Sequence, residues 1–246
     1  MSRVKHNALH QFQGGLNNAV DGGPGLLPFP TPGLQGWKWL YQDYTHGVLW
    51  SADNVEYEST ILGSTPAPVP GANGMTLPTI ATDNTGSHIQ DTTPQVILGA
   101  STKKFYLETS VTLTAATMAS NEFFIGFATD ATGSGHQADA GTSWTMDAGI
   151  GFGKLDTATE VDFIARSADV EQVVGIGSTM TTATRTLLGC YYDGSSYFIY
   201  KDNVLVAQAS AEQYPATVMG TSAFIKSGTG AIQTLLVNYV ALGTEL

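Results

Sequence analysis

Positive charge is scarce in this sequence. Lys and Arg number 10 against 21 Asp and Glu, and charged residues are 13% of 246 positions, about half the usual share. The net charge is −11, and the acids are dispersed. Nothing supplies a cationic face for phosphates, which argues against a nucleic-acid partner and against an anionic membrane surface. Cysteine is nearly absent: Cys190 is the only one, so there is no intrachain disulfide. It stands between Gly189 and Tyr191 in an apolar stretch with no His near it in sequence, which predicts a buried structural thiol and assembly in a reducing cytoplasm. No apolar run approaches membrane-spanning length. The basic start is not followed by the apolar stretch of a signal peptide. No long 3.6-residue apolar period is present, so long amphipathic helices are not expected. Proline almost vanishes after the first third: positions 24, 28, 30, 32, 66, 68, 70, 78 and 94 hold nine of the ten.

What is present is β signal. Residues 186–209 read as a three-strand meander over 187–192, 197–200 and 204–207. Asp193-Gly194-Ser195-Ser196 turns the first corner, and Asp202-Asn203 is a two-residue hairpin turn of residues that tolerate positive φ. Residues 105–114 alternate: Phe105, Leu107, Thr109, Val111 and Leu113 oppose Tyr106, Glu108, Ser110, Thr112 and Thr114. Residues 122–129 form a nearly continuous apolar run, the pattern of a central sandwich strand. Further strands are expected at 80–82, 88–90, 148–153, 161–165, 170–176, 222–226 and 234–242. The fold class is therefore all-β, a sandwich that this length accommodates in one domain.

The first 79 residues read differently. Residues 22–33 are rich in Pro and Gly yet carry Leu26, Leu27 and Phe29, as an extended apolar arm laid on another surface would. Trp37, Trp39 and Tyr41 alternate with Lys38, Leu40 and Gln42, which puts three aromatics on one strand face, and Trp50 follows. Such a face serves as core, as a protein anchor or as a sugar platform. Residues 64–78 read as a long irregular loop. The expected division is thus an arm with its aromatic cluster over 1–79 and a sandwich over 80–246.

Five phrases in order carry a resemblance: Lys104-Phe105-Tyr106-Leu107-Glu108, Phe123-Phe124-Ile125-Gly126-Phe127, Gly189-Cys190-Tyr191-Tyr192-Asp193-Gly194, Tyr200-Lys201-Asp202-Asn203-Val204-Leu205-Val206 and Leu235-Leu236-Val237-Asn238-Tyr239-Val240. Their order resembles the concanavalin A-like (laminin G-like) jelly-roll domains of tailed-bacteriophage structural proteins, with Asp202-Asn203 where that family usually has Asn-Gly. The resemblance spans roughly residues 80–246. It implies a jelly-roll β-sandwich and a capsid decoration (cement) protein on the outer capsid surface of a virion, made in the host cytoplasm. The implied partners are the major capsid protein and further copies of the chain in a homotrimer. On that reading Leu26, Leu27, Phe29, Trp37, Trp39, Tyr41 and Trp50 are the partner-binding residues, and no catalytic residue, metal or cofactor is expected. The alternative is a carbohydrate-binding module of a tail fibre or surface protein, with a glycan as partner.

The chemistry in the chain is thin. The fold also hosts glycoside hydrolases with a Glu-x-Asp-x-x-Glu strand, and Glu160-Val161-Asp162-Phe163-Ile164-Ala165 begins that motif. Ala165 stands at its last position and Ile164 at that of the shorter variant, whereas a retaining mechanism needs two carboxyl groups. His6 and His10 have helical metal spacing without a third ligand. Asp130, Asp139 and Asp147 lie in or beside a polar loop and match no EF-hand. His136, in that loop, is expected to be exposed. Gly149, Gly151 and Gly153 sit in a strand, not in a phosphate cradle.

Overall fold

A computed structural model describes residues 37–44, 57–71, 73–91, 96–116, 119, 121–129, 136, 143–156, 158–177, 179–228 and 230–245. Its strands in chain order are β1 (Trp37–Asp43), β2 (Tyr57–Leu62), β3 (Val69–Gly71), β4 (Gly74–Pro78), β5 (Gly86–Asp91), β6 (Phe105–Thr114), β7 (Asn121–Ala128), β8 (Gly149–Lys154), β9 (Asp162–Ser167), β10 (Val170–Gly175), β11 (Arg185–Tyr192), β12 (Ser196–Lys201), β13 (Val204–Ser210), β14 (Gly220–Ser227) and β15 (Thr234–Glu245). They build two antiparallel sheets. The eight-stranded sheet runs β13-β12-β11-β6-β15-β4-β3, with β1 also pairing β15. The seven-stranded sheet runs β10-β9-β8-β7-β14-β5-β2.

The core lies between the sheets because each strand alternates. In β6, Leu107, Val111 and Leu113 face inward, and in β7 Phe123, Ile125 and Phe127 meet them. Each of these side chains is fully buried, and each phenyl ring contributes roughly 2–3 kcal/mol by leaving water. Cys190 is free and buried in this layer, as its apolar neighbours implied. In β15 the register shifts between Val237 and Tyr239, so Val237 and Val240 both enter the core while Tyr239 turns outward. The displaced Asn238 accepts a hydrogen bond from Ser110 Oγ (3.0 Å), and its carbonyl accepts the Tyr44 amide (2.9 Å).

The meander forms as its turn residues dictate. Asp202 and Asn203 both hold positive φ, 50° and 67°. The Asp202 carboxylate accepts the Leu187 amide at 2.9 Å, tying the turn to β11. Asn203→Val is expected to cost about 1–2 kcal/mol of stability, read as a lower urea midpoint, because a β-branched side chain does not tolerate the left-handed region, and Asn203→Gly to be neutral. Tyrosines of the same stretch anchor loops: Tyr192 donates to the Ser101 carbonyl and Tyr197 to that of Gln213, and Tyr214 donates to that of Leu98 at 3.0 Å.

The sandwich begins earlier than residue 80. Strands β1–β4, all before Thr79, are hydrogen-bonded into the two sheets, β1 and β4 on β15 and β2 on β5. Residues 64–78, expected as an irregular loop, contain the β3–β4 hairpin, with Pro70 and Pro78 on strands near a sheet edge where a missing amide is tolerated. Residues 80–82 form no strand, since Thr82 bonds back to the Ile80 carbonyl in a turn. Leu26, Leu27, Phe29 and Trp50 lie outside the described residues.

Candidate functional site

The outer face of the seven-stranded sheet carries His136, one of the polar residues singled out by sequence. It is filled rather than open. Phe124, Phe224, Ile164 and Leu62 rise from the sheet, and Trp144 and Met146 pack onto them from the segment before β8. The glycines of β8 make that possible. A Cβ would lie 2.6 Å from Met146 Sδ at Gly149, 2.8 Å from the Phe124 ring at Gly151 and 2.6 Å from the Trp144 ring at Gly153. The Arg166 guanidinium holds the segment down by donating to the Met146 carbonyl.

His136 lies under this cover. It is fully buried, not exposed as the polarity of its loop suggested. Its ring meets Phe124 at 5.2 Å and His88 at 4.7 Å between centroids. Nε2 of both imidazoles reaches Ser222 Oγ, at 2.8 Å from His88. One hydroxyl proton cannot serve both, so at least one imidazole donates to the hydroxyl oxygen. Burial pushes His88 down to about 4 and His136 well below the usual imidazole range, with His88 adding to the latter. Nδ1 of His136 has no partner among the described residues. A serine beside two imidazoles has the atoms of a nucleophile and its base. Here Ser222 is 1% exposed, so the group is sealed within the packing.

The hydrolase-like strand comes apart in the same place. Glu160 is exposed just before β9, and Asp162 is half-buried on it. Burial, then Glu160, pushes the Asp162 carboxyl up to about 6, against the pull of Lys154. Ile164 is packed with Trp144, and Ala165 points into the core between the sheets. Neither position could present a second carboxyl group to a sugar. Lys154, nearby, donates to the carbonyls of Asn121, Leu155 (3.0 Å) and Ala158 (2.8 Å). Burial lowers it to about 8, opposed by Asp156 and Asp162. Asp147 is exposed, and Asp130, Asp139, His6 and His10 lie outside the described residues. Among the described residues no group of three or more His, Cys, Asp and Glu is placed to hold a metal.

The outer face of the eight-stranded sheet is aromatic. Its register aligns one row from β12 to β1: Phe198, Tyr191, Tyr106, Gly243 and Trp39. The next row aligns Tyr200, Gly189, Glu108, Ala241 and Tyr41. The third aligns Leu187, Ser110, Tyr239 and Asp43. So the backbone sets positions 37, 39 and 41 of β1 in line with an aromatic face drawn from four other strands. Tyr106 and Tyr239 both donate to the two oxygens of Glu108, a carboxylate 3% exposed. Burial, then Glu108, raises the Tyr106 phenol well above its ordinary range. Gly189 gives the Tyr106 hydroxyl its room, for a Cβ there would lie 3.3 Å away. Tyr191 and Phe198 meet at 6.1 Å between centroids and stay half-buried, as does Tyr200. Sequence pattern found the β1 aromatics but not this face, whose members are spread over five strands.

No protein-family model matches the sequence, and no curated protein does. Solved structures share the fold. An endo-1,3-beta-glucanase from Streptomyces sioyaensis aligns with a TM-score of 0.57 at 10% identity, over 89% of this chain and 99% of its own. The Emp47p carbohydrate recognition domain aligns with a TM-score of 0.57 at 8% identity, over 86% and 98%. Peanut lectin, solved with a nine-residue peptide, gives 0.51 at 14% identity, over 84% and 97%. The chain therefore has the concanavalin A-like jelly-roll fold of lectins and glucanases. At these identities the likeness speaks for the fold alone.

Proposed function

We propose that this chain is a non-catalytic virion structural protein that decorates a phage capsid, binding the major capsid protein and further copies of itself by surface burial. The observation that carries the reading is where apolar surface remains once the sandwich is built. Among the described strands, β13 and β10 each have a neighbour on one side only, at the same side of the sandwich. Val204 and Leu205 on β13 are 62% and 50% exposed, and Val170 and Val173 on β10 are exposed beside them. β13 carries no charged residue and no proline, the usual guards of an open edge. In a chain of net charge −11, that uncharged edge suits a partner protein. The low overall charge and the phage resemblance support the same reading, as does the missing second carboxyl group.

Cryo-EM of a virion that carries this chain tests it. Sandwich-shaped density on the outer shell, repeated about a symmetry axis, is the expected result, and a mature capsid lacking the chain overturns the reading.

A second reading, a carbohydrate-binding module, is favoured by one feature: the half-buried row of Tyr191, Phe198 and Tyr200, whose rings suit stacking on sugars. A glycan array separates the two. Selective binding that is lost in Tyr191→Ala supports the second reading, and no binding leaves the first.

A further inference from the structure

Residues 143–148 belong to neither sheet, yet they alternate like a strand laid on one. Trp144, Met146 and Ala148 are buried, and Ser143, Thr145 and Asp147 are exposed. The Thr145 amide donates to the His136 carbonyl at 2.8 Å, so His136, Trp144 and Met146 belong to one piece of cover. Where this piece meets β7, Thr129 and Ala148 exchange two hydrogen bonds: the Thr129 amide donates to the Ala148 carbonyl at 2.9 Å, and the Ala148 amide to Thr129 Oγ1 at 3.1 Å. Arg166 donates to the Met146 carbonyl part-way along. At the far side His136 rests on His88 and Ser222.

That last contact has no place for a second proton on the imidazoles. His136 is sealed between Phe124 and Phe224, 5.2 and 6.3 Å away between ring centroids. Its Nε2 faces Ser222 Oγ, and a proton on Nδ1 would find no acceptor among the described residues. A protonated His88, 4.7 Å away, would add a like charge. The charged groups on the surrounding elements are otherwise engaged or turned aside. Lys226 of β14 is paired with Glu122 of β7 at 2.6 Å. Arg166 of β9 is paired with Asp169 and Glu171 at 3.2 and 3.4 Å. Asp162 of β9 is half-buried in the row of Gly153 and Phe124. Asp147 on the cover is exposed, Asp91 follows Gln90 on β5, and Glu58 of β2 takes the position opposite Gln90. Among the described residues no carboxylate is paired with either imidazole.

We propose that His88 and His136 form an acid-operated latch: protonation of the pair releases His136, Trp144 and Met146 from the outer face of the seven-stranded sheet, with the Thr129–Ala148 bonds as the hinge, while the two sheets stay joined. Once released, each imidazole regains its ordinary affinity for protons. At pH 4.5 that favours the open form by up to about 100-fold per histidine. The apolar core between the sheets holds no histidine and gains nothing by opening. Release uncovers Phe124, Ile164 and the glycine face of β8, an apolar surface hidden at neutral pH. The latch needs neither capsid nor glycan, so its failure leaves both functional readings standing.

Oxidation of methionine by hydrogen peroxide tests the latch in the full chain, because that reaction follows access to sulfur and is nearly independent of pH in this range. Met146 is buried under the cover, whereas Met75 and Met219 are buried between the sheets. After matched exposures at pH 7 and pH 4.5, peptide mass spectrometry is expected to show Met146 oxidised about tenfold faster or more at the lower pH, with Met75 and Met219 still protected. Met146 as slow as Met219 at pH 4.5 overturns the proposal. So does an equal rise at all three, which means that the sandwich opens as one unit. In His88→Gln, whose amide can still reach Ser222, the ratio of the Met146 rates at the two pH values is expected to fall several-fold, and an unchanged ratio overturns the proposal. Should Met146 of that variant react already at pH 7, the substitution has lifted the cover by itself, and the parent comparison decides.

Discussion

Lowering the pH from 7 to 4.5 is expected to remove several kcal/mol of folding stability through His88 and His136. Both imidazoles are held neutral by burial, His88 at about 4 and His136 well below its usual range. An unfolded chain protonates its histidines near pH 6.5. Below that value the unfolded state binds protons that the folded state refuses, so stability falls as pH falls. The loss begins near pH 6.5 and, for His88, is complete below about 4. For His88 alone the difference amounts to roughly 3 kcal/mol, and His136 adds to it. Asp162 works against this in the same window. Its carboxyl, raised to about 6, takes up a proton in the folded state before the unfolded chain does. It is half-exposed, so its effect is the smaller one. Urea titrations at pH 7 and pH 4.5 measure the loss. In His136→Phe the gap between the two midpoints should narrow whatever the variant's absolute stability, because one proton-binding group has gone from the unfolded state. An unchanged gap would mean that His136 titrates normally and is not sealed.

That histidine also marks where sequence and structure part. Residues 130–147 are polar and Gly-rich, the composition of a solvated loop, and nothing local reports that His136 and Trp144 fold back onto a sheet. The signal that points there is indirect. Gly149, Gly151 and Gly153 alternate with Ile150 and Phe152, so one face of β8 has no side chains and needs filling from elsewhere. Period-2 alternation gave β6 to the residue, because four of its five inward positions, Phe105, Leu107, Val111 and Leu113, are apolar. The Asp202-Asn203 turn was equally legible, since its conformation is chosen by the two residues that make it. Strands β2–β4 were not: Pro70 on β3 and Pro78 on β4 argue against strand, and pairing near the sheet edge tolerates them, while β2 carries no such signal either way. The aromatic face of the eight-stranded sheet was legible only in its β1 part, because register between distant strands decides which rings share a row.

Lys226→Met is expected to cost about 3–5 kcal/mol, the second large effect. Lys226 on β14 stands opposite Glu122 on β7, with Nζ 2.6 Å from Oε1. Both side chains are nearly inaccessible, 4% and 2% exposed. Burial lowers the Lys226 ammonium, and Asp83 raises it. Removing the ammonium leaves a carboxylate in the packing whose second oxygen, Oε2, has no partner among the described residues. The double variant Lys226→Met, Glu122→Leu should recover most of the loss, since two apolar groups of similar size need no partners. A double-mutant cycle in urea reads the coupling. If the two single losses add in the double variant, the pair is not coupled in the folded state. A further signature separates charge from shape: the Lys226→Met variant should lose part of its deficit on mild acidification, as Glu122 takes up a proton, and Lys226→Met, Glu122→Leu should not. The pair sits across the two strands at the middle of the seven-stranded sheet, on the outer face with Phe124 and Phe224, while Phe123, Ile125, Ala223 and Ile225 face the core between the sheets. A slip of one residue between β7 and β14 would send one charge into that core without the other. The ion pair therefore sets the register on which His88, Ser222 and the whole filled face depend.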